Sequence, residues 1–292
     1  MSQSILDKLV ATDGLASFLR PESFAALAVV VLLLWLGKLA RGWLTRAHDL
    51  NRLLTTEDNK AAAVSFTGYM VGLATILFRV VTTPSDDFLQ GLVDLAAWGA
   101  IGIVLLNLSA WIHEKSVLGA WGGTKEIVDN GNIATGSVEG GGFIGTGFII
   151  GACVGGESAG WADSLVTAAV FFVLGQLALI LWSLVYRKMA GHGLRGRIPQ
   201  GNVAAGVAAG LSLAAFGIAL SHPIAQSASV VLFALWTLVG MISLSVLRVL
   251  VDWLIFPRHS LNQEIREDQN WGAGLIEGGL AVSVAFLLRG AF

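Results

Sequence analysis

The sequence predicts an all-α integral membrane protein: eight transmembrane helices forming two parallel four-helix repeats, related by a pseudo-twofold axis along the membrane normal. Three observations carry that expectation. The chain is 55% hydrophobic and only 13% charged, where a soluble domain is usually about a quarter charged. Uncharged stretches of about 20 residues, the length that spans a bilayer, occupy most of it. A glutamate-bearing motif also occurs twice, at a constant offset.

Residues 1–20 place Ile5, Leu6, Leu9 and Val10, then Leu15, Phe18 and Leu19, on what reads as a periplasmic helix lying on the membrane surface. They lack the basic start and adjoining apolar stretch of a cleaved signal peptide. The first repeat, residues 21–158, has spans centred on Ala25–Leu39, Ala61–Phe78, Leu95–Ile112 and Ile133–Ile150. The second, residues 159–292, opens with Ser164–Tyr186 and closes with Ile276–Leu288. Between them, Ile198 to Leu247 contains no Asp, Glu, Lys or Arg, which is too long for one span. Ser221-His222-Pro223 supplies the turn expected to split it.

Orientation follows from Lys and Arg. The loops joining helices 1–2, 3–4, 5–6 and 7–8 hold thirteen, among them Arg41, Lys125, Arg187 and Arg248, against four on the other side. Those loops are therefore expected in the cytoplasm and both termini in the periplasm. The net charge of −2 gives no basic surface for nucleic acid. With Cys153 as the sole cysteine, neither an intrachain disulfide nor a thiolate metal cluster can form.

The repeat rests on two matches. Glu126-Ile127 through Asn132, Gly136 and Glu139-Gly140-Gly141 aligns with Glu264-Ile265 through Asn270, Gly274 and Glu277-Gly278-Gly279, and Asn59-Lys60-Ala61-Ala62 aligns with Asn202-Val203-Ala204-Ala205. An even number of helices per unit returns the chain to its starting side, so both copies insert the same way. Parallel copies offer no simple route to alternating access by exchanging conformations.

These motifs, Asn-x-Ala-Ala at the head of each second helix and Asp/Glu-x-x-Asn…Gly-x-x-Glu-Gly-Gly at the head of each fourth, resemble the YjfL-like bacterial inner-membrane proteins, the domain of unknown function numbered 350. The resemblance covers nearly the whole chain, twice over. It implies the fold and a bacterial inner-membrane location, and no activity. Because members carry one or two units, it also implies a chain like a fused dimer. Lys60 facing Val203, and a loop 3–4 longer than loop 7–8, depart from symmetry.

Glu139 lies about 10 Å along its helix from Asn132, well inside the hydrocarbon, and Glu277 repeats the arrangement after Asn270. Asn132, Gly136 and Glu139 share one helix face, as do Asn270, Gly274 and Glu277. Intramembrane carboxylates usually mark ion or proton pathways. The first functional expectation is therefore a proton- or cation-linked channel or transporter using the two glutamates as a pair. The alternative is a non-transporting scaffold or partner-binding subunit in which each glutamate only ties helices together. Asn59, Asn132, Asn202 and Asn270 read as helix caps, or else as a polar vestibule, and the glycines as close-packing positions. Asp94, Arg248 and Asp252 read as boundary residues whose side chains reach the interface. His-Glu-x-x-His, Gly-x-x-x-x-Gly-Lys-Ser/Thr and Gly-x-Ser-x-Gly are missing, so no enzyme activity, metal or cofactor is expected. The expected partners are the bilayer, a small cation or proton, and a second copy or another membrane protein.

Overall fold

The computed structural model describes residues 21–44, 50–85, 87–120, 123–154, 160–191 and 197–291. The expected surface helix at 1–20 falls outside them. Eleven α-helices appear among the described residues: α1 (Pro21–Leu44), α2 (Leu50–Thr55), α3 (Lys60–Thr82), α4 (Phe88–Ser116), α5 (Gly123–Val128), α6 (Ile133–Ala152), α7 (Trp161–Met189), α8 (Val203–Ser227), α9 (Val230–Ile255), α10 (Leu261–Arg266) and α11 (Trp271–Ala291).

Seven of them are long and apolar enough to cross a membrane. Eight were expected, and the difference is α6, whose 20 residues include seven glycines and Glu139. Protein rather than lipid surrounds it, because almost every residue from Ala134 to Ala152 is buried. Outer helices behave oppositely: only 11% of the span window of α1 and 17% of that of α9 is buried, against 83% for α8. Their exposed Leu, Val and Trp side chains make the lipid-facing coat.

The expected turn at Ser221-His222-Pro223 is corrected. Pro223 lies inside α8, and the helix ends at Ala228, whose left-handed φ of 47° precedes the Ser229 cap of α9. Proline removes one backbone donor, a loss that surrounding helices make tolerable in a membrane bundle, and Ser221, His222 and Pro223 are all buried.

Four helices running in the same direction form the core, each packed along its length on the next in the order α3, α6, α8, α11. The remaining long helices make a second layer, with α4 over the α3–α6 groove, α7 over α6–α8 and α9 over α8–α11. The core row curves, so that Phe148 of α6 meets Phe286 of α11 with ring centroids 5.8 Å apart. A twofold axis between the repeats would carry the extended α6–α8 contact onto an equally extended α11–α3 contact. Among the described residues α3 and α11 make no contact of that extent, so the core packs as a row in which each repeat follows the last and not as the expected pseudo-twofold pair.

Glycine permits this packing. A Cβ at Gly141 would stand 1.9 Å from the Gly210 carbonyl oxygen, and one at Gly210 would stand 2.1 Å from that of Ser137. Backbones this close gain dispersion and Cα–H···O contacts that no larger residue allows. Gly279, the counterpart of Gly141 in the second repeat, faces open space. Gly141→Leu is therefore expected to lower the thermal midpoint of detergent-solubilised single chains by the equivalent of about 3 kcal/mol or to prevent folding. Gly279→Leu should leave that midpoint unchanged.

Candidate functional site: two buried carboxylate–guanidinium pairs

Each core helix starts with the same device. Asn59, Asn132, Asn202 and Asn270 accept through Oδ1 the backbone N–H three residues on, from Ala62, Thr135, Ala205 and Ala273. Capping thus describes all four. The two motifs seen separately in the sequence merge into one, Asn followed at the second and third positions by Ala, Gly or Thr, at the head of every core helix.

Glu139 lies two turns inside α6, is 2% exposed, and takes a 2.7 Å ion pair from Arg41 Nη2 of α1 on Oε1. Ser65 of α3 donates to Oε2. The Arg41 guanidinium also lies 4.8 Å from the centroid of the Phe143 ring, a favourable placement for a cation. His113 of α4 packs against Gly142, where a Cβ would stand 2.8 Å from Nδ1. A cavity of about 20 Å³, the size of one water, touches Arg41, Ser65 and Glu139.

Glu277 repeats the pairing with different donors. Arg248 of α9 is ion-paired to Oε1, and Tyr186 of α7 donates to the same atom at 3.0 Å. Arg248 Nη2 donates at 2.8 Å to Asn262. Arg41 and Tyr186 occupy equivalent places, one turn beyond Gly37 and Trp182, which pack on Leu73 and Phe216. Leu73 and Phe216 stand equally far past Asn59 and Asn202. The cation has therefore moved from the first helix of one repeat to the third helix of the other, while the pair itself persists. By the same spacing Ala208 stands where Ser65 does, and Glu277 Oε2 is buried with no hydrogen-bond partner among the described residues.

The two glutamates are not brought together by a shared partner: they sit on α6 and α11, the core helices on either side of α8, and each is ion-paired inside its own repeat. Arg41 and Arg248, assigned to a loop and to the interface from sequence, are 7% and 8% exposed within the bundle. Gly136 and Gly274 seat α6 and α11 on the carbonyl oxygens of Ala61 and Ala204. Ser65, His113 and Tyr186 escaped sequence reasoning because isolated polar residues in apolar helices carry no motif. Arg248 did leave a signal, since it ends the longest uncharged run in the chain.

Among the described residues, an all-helical bundle with seven apolar helices long enough to cross a bilayer, and with ion pairs buried inside it, defines a polytopic membrane protein in contact with lipid. The family described as Domain of Unknown Function (DUF350) matches residues 10–154 and again residues 160–292, and the chain belongs to it. It is also similar to the UPF0719 transmembrane protein YshE of Bacillus subtilis (strain 168), 26% identical over 128 residues, 44% of this chain and 94% of that protein. That relative thus has the size of one repeat. No solved structure matches the chain.

Removing one member of a buried ion pair strands a charge and costs about 3–5 kcal/mol. Arg41→Met alone should destabilise by that order in chemical unfolding, and Arg41→Met with Glu139→Leu should recover most of the loss. Ala208→Ser, which gives Glu277 Oε2 a donor, is expected to raise stability by about 1 kcal/mol.

Proposed function

We propose that the protein is a non-transporting structural component of the bacterial cytoplasmic membrane, a rigid scaffold whose intramembrane glutamates lock helices together. The observation that carries this reading is the pairing of Glu139 with Arg41 and of Glu277 with Arg248, each within one repeat. A carboxylate neutralised by a guanidinium ties three helices at a depth where a lone charge is costly. Backbone-level contacts along the row support the same conclusion, since packed interfaces of this kind resist continuous deformation. The excess of Lys and Arg in alternate loops supports placing the Asn-capped ends toward the cytoplasm.

Proton or cation binding is the second reading. Glu277 Oε2, buried without a hydrogen-bond partner among the described residues, and the water-sized cavity lined by Glu139 favour it, the first as an acceptor with lone pairs unused and the second as space beside a carboxylate.

Glu139→Gln and Glu277→Gln separate the two. In proteoliposomes loaded with pH- and potassium-sensitive dyes, the scaffold reading predicts background flux for the wild type and both variants, with the variants melting at lower temperature. Flux that the wild type supports and the glutamine variants abolish would refute it.

A further inference from the structure

We infer that copies of this chain join head to tail in the membrane, the outer face of α11 in one copy packing on the outer face of α3 in the next. The row α3–α6–α8–α11 is built by one step repeated three times, and its two end faces are versions of surfaces already paired inside it. In the α6–α8 contact, Ala134, Ser137, Gly141 and Gly145 of α6 meet Gly206, Gly210 and Gly217 of α8. Counted from the capping asparagines, the same positions on α11 are Gly272, Leu275, Gly279 and Ser283, and on α3 they are Ala63, Thr67 and Ala74. Leu275, Ser283, Thr67 and Ala74 are exposed, and a Cβ at Gly279 meets nothing within 4 Å.

The caps give independent evidence, because each does more than close its own helix. Asn59 Nδ2 donates to the Ile127 and Val128 carbonyls ahead of α6, Asn132 to those of Ile198 and Pro199 ahead of α8, and Asn202 to that of Ile265 ahead of α11. One core helix is thereby tied to the entry segment of the next. Asn270, the last, is exposed and its Nδ2 turns back to donate to Glu264 of the preceding short helix α10 at 2.9 Å. In another copy, the carbonyls in the corresponding place are those of Leu54 and Thr55, which directly follow the Leu53 carbonyl that accepts from Asn59 N–H.

A relative of one repeat's length has no second repeat to cover the face that the α6–α8 contact buries here. Such a contact joins unlike faces, so it is heterologous and generates a closed ring when the turn per copy divides the circle. The curvature of the row, with Phe148 of α6 reaching Phe286 of α11, favours closure. Thr67 and Ala74 stand where α8 has glycines, so the junction between copies is wider than α6–α8. This inference does not depend on whether the glutamates carry ions.

Cysteine cross-linking in native membranes tests it, in a Cys153→Ala background. Thr67→Cys with Gly279→Cys, and independently Thr55→Cys with Asn270→Cys at the aqueous end, should give a ladder of covalent oligomers on mild oxidation. Co-expressed single variants, one carrying Thr67→Cys and the other Gly279→Cys, should give dimers only, and either single variant alone should give none. Dimers from Gly279→Cys alone would mean a self-complementary face and overturn head-to-tail joining. Absence of cross-links with both pairs would overturn the association itself.

Discussion

Backbone-to-backbone contact between parallel helices is the constraint on which this structure depends. Lipid tails are as apolar as leucine, so burying apolar surface gives little reason for membrane helices to associate. Close approach supplies the missing attraction, and glycine alone makes it available where Gly141 meets Gly210 and Gly145 meets Gly217. A helix rich enough in glycine to do this loses hydropathy, as α6 does. Such a helix survives in a bilayer only when neighbours cover it, so the outer layer follows from the composition of the core.

The buried charges follow from the same arrangement. Once α6 is enclosed, a glutamate on it is cut off from bulk water, and a cation close by offsets that cost. Arg41 reaches Glu139 from α1, whereas Arg248 reaches Glu277 from α9. Electrostatics favours a cation near each buried carboxylate but does not dictate which helix carries it. The substitution of Tyr186 for Arg41 and of Ala208 for Ser65 at equivalent places shows how two diverged copies meet one physical requirement with different residues.

Much of this was legible in the residues. Apolar stretches located the helices, and the repeated Asn and Glu positions located the caps and the buried acids, because those features are local and recur at fixed spacing. Pairing across space was not legible. Nothing in the spacing of Arg41 or Arg248 links them to Glu139 or Glu277, and the exchange of donor helix hides the relation from any search for internal symmetry. Pro223 misled because a turn signal valid in water loses force in a helix held by its neighbours. The order of the core row was equally hidden, since a duplicated sequence is compatible with both a twofold axis and a repeated step.

That order is the central claim, and a distance between spin labels at Lys60 and Trp271, the first residues of α3 and α11, tests it most directly. Measured by pulsed electron–electron resonance on single chains in nanodiscs, the open row predicts a separation of about 20 Å, more than one helix spacing. A separation near the about 8–10 Å of packed neighbours would place α11 against α3 in the same chain and contradict the account.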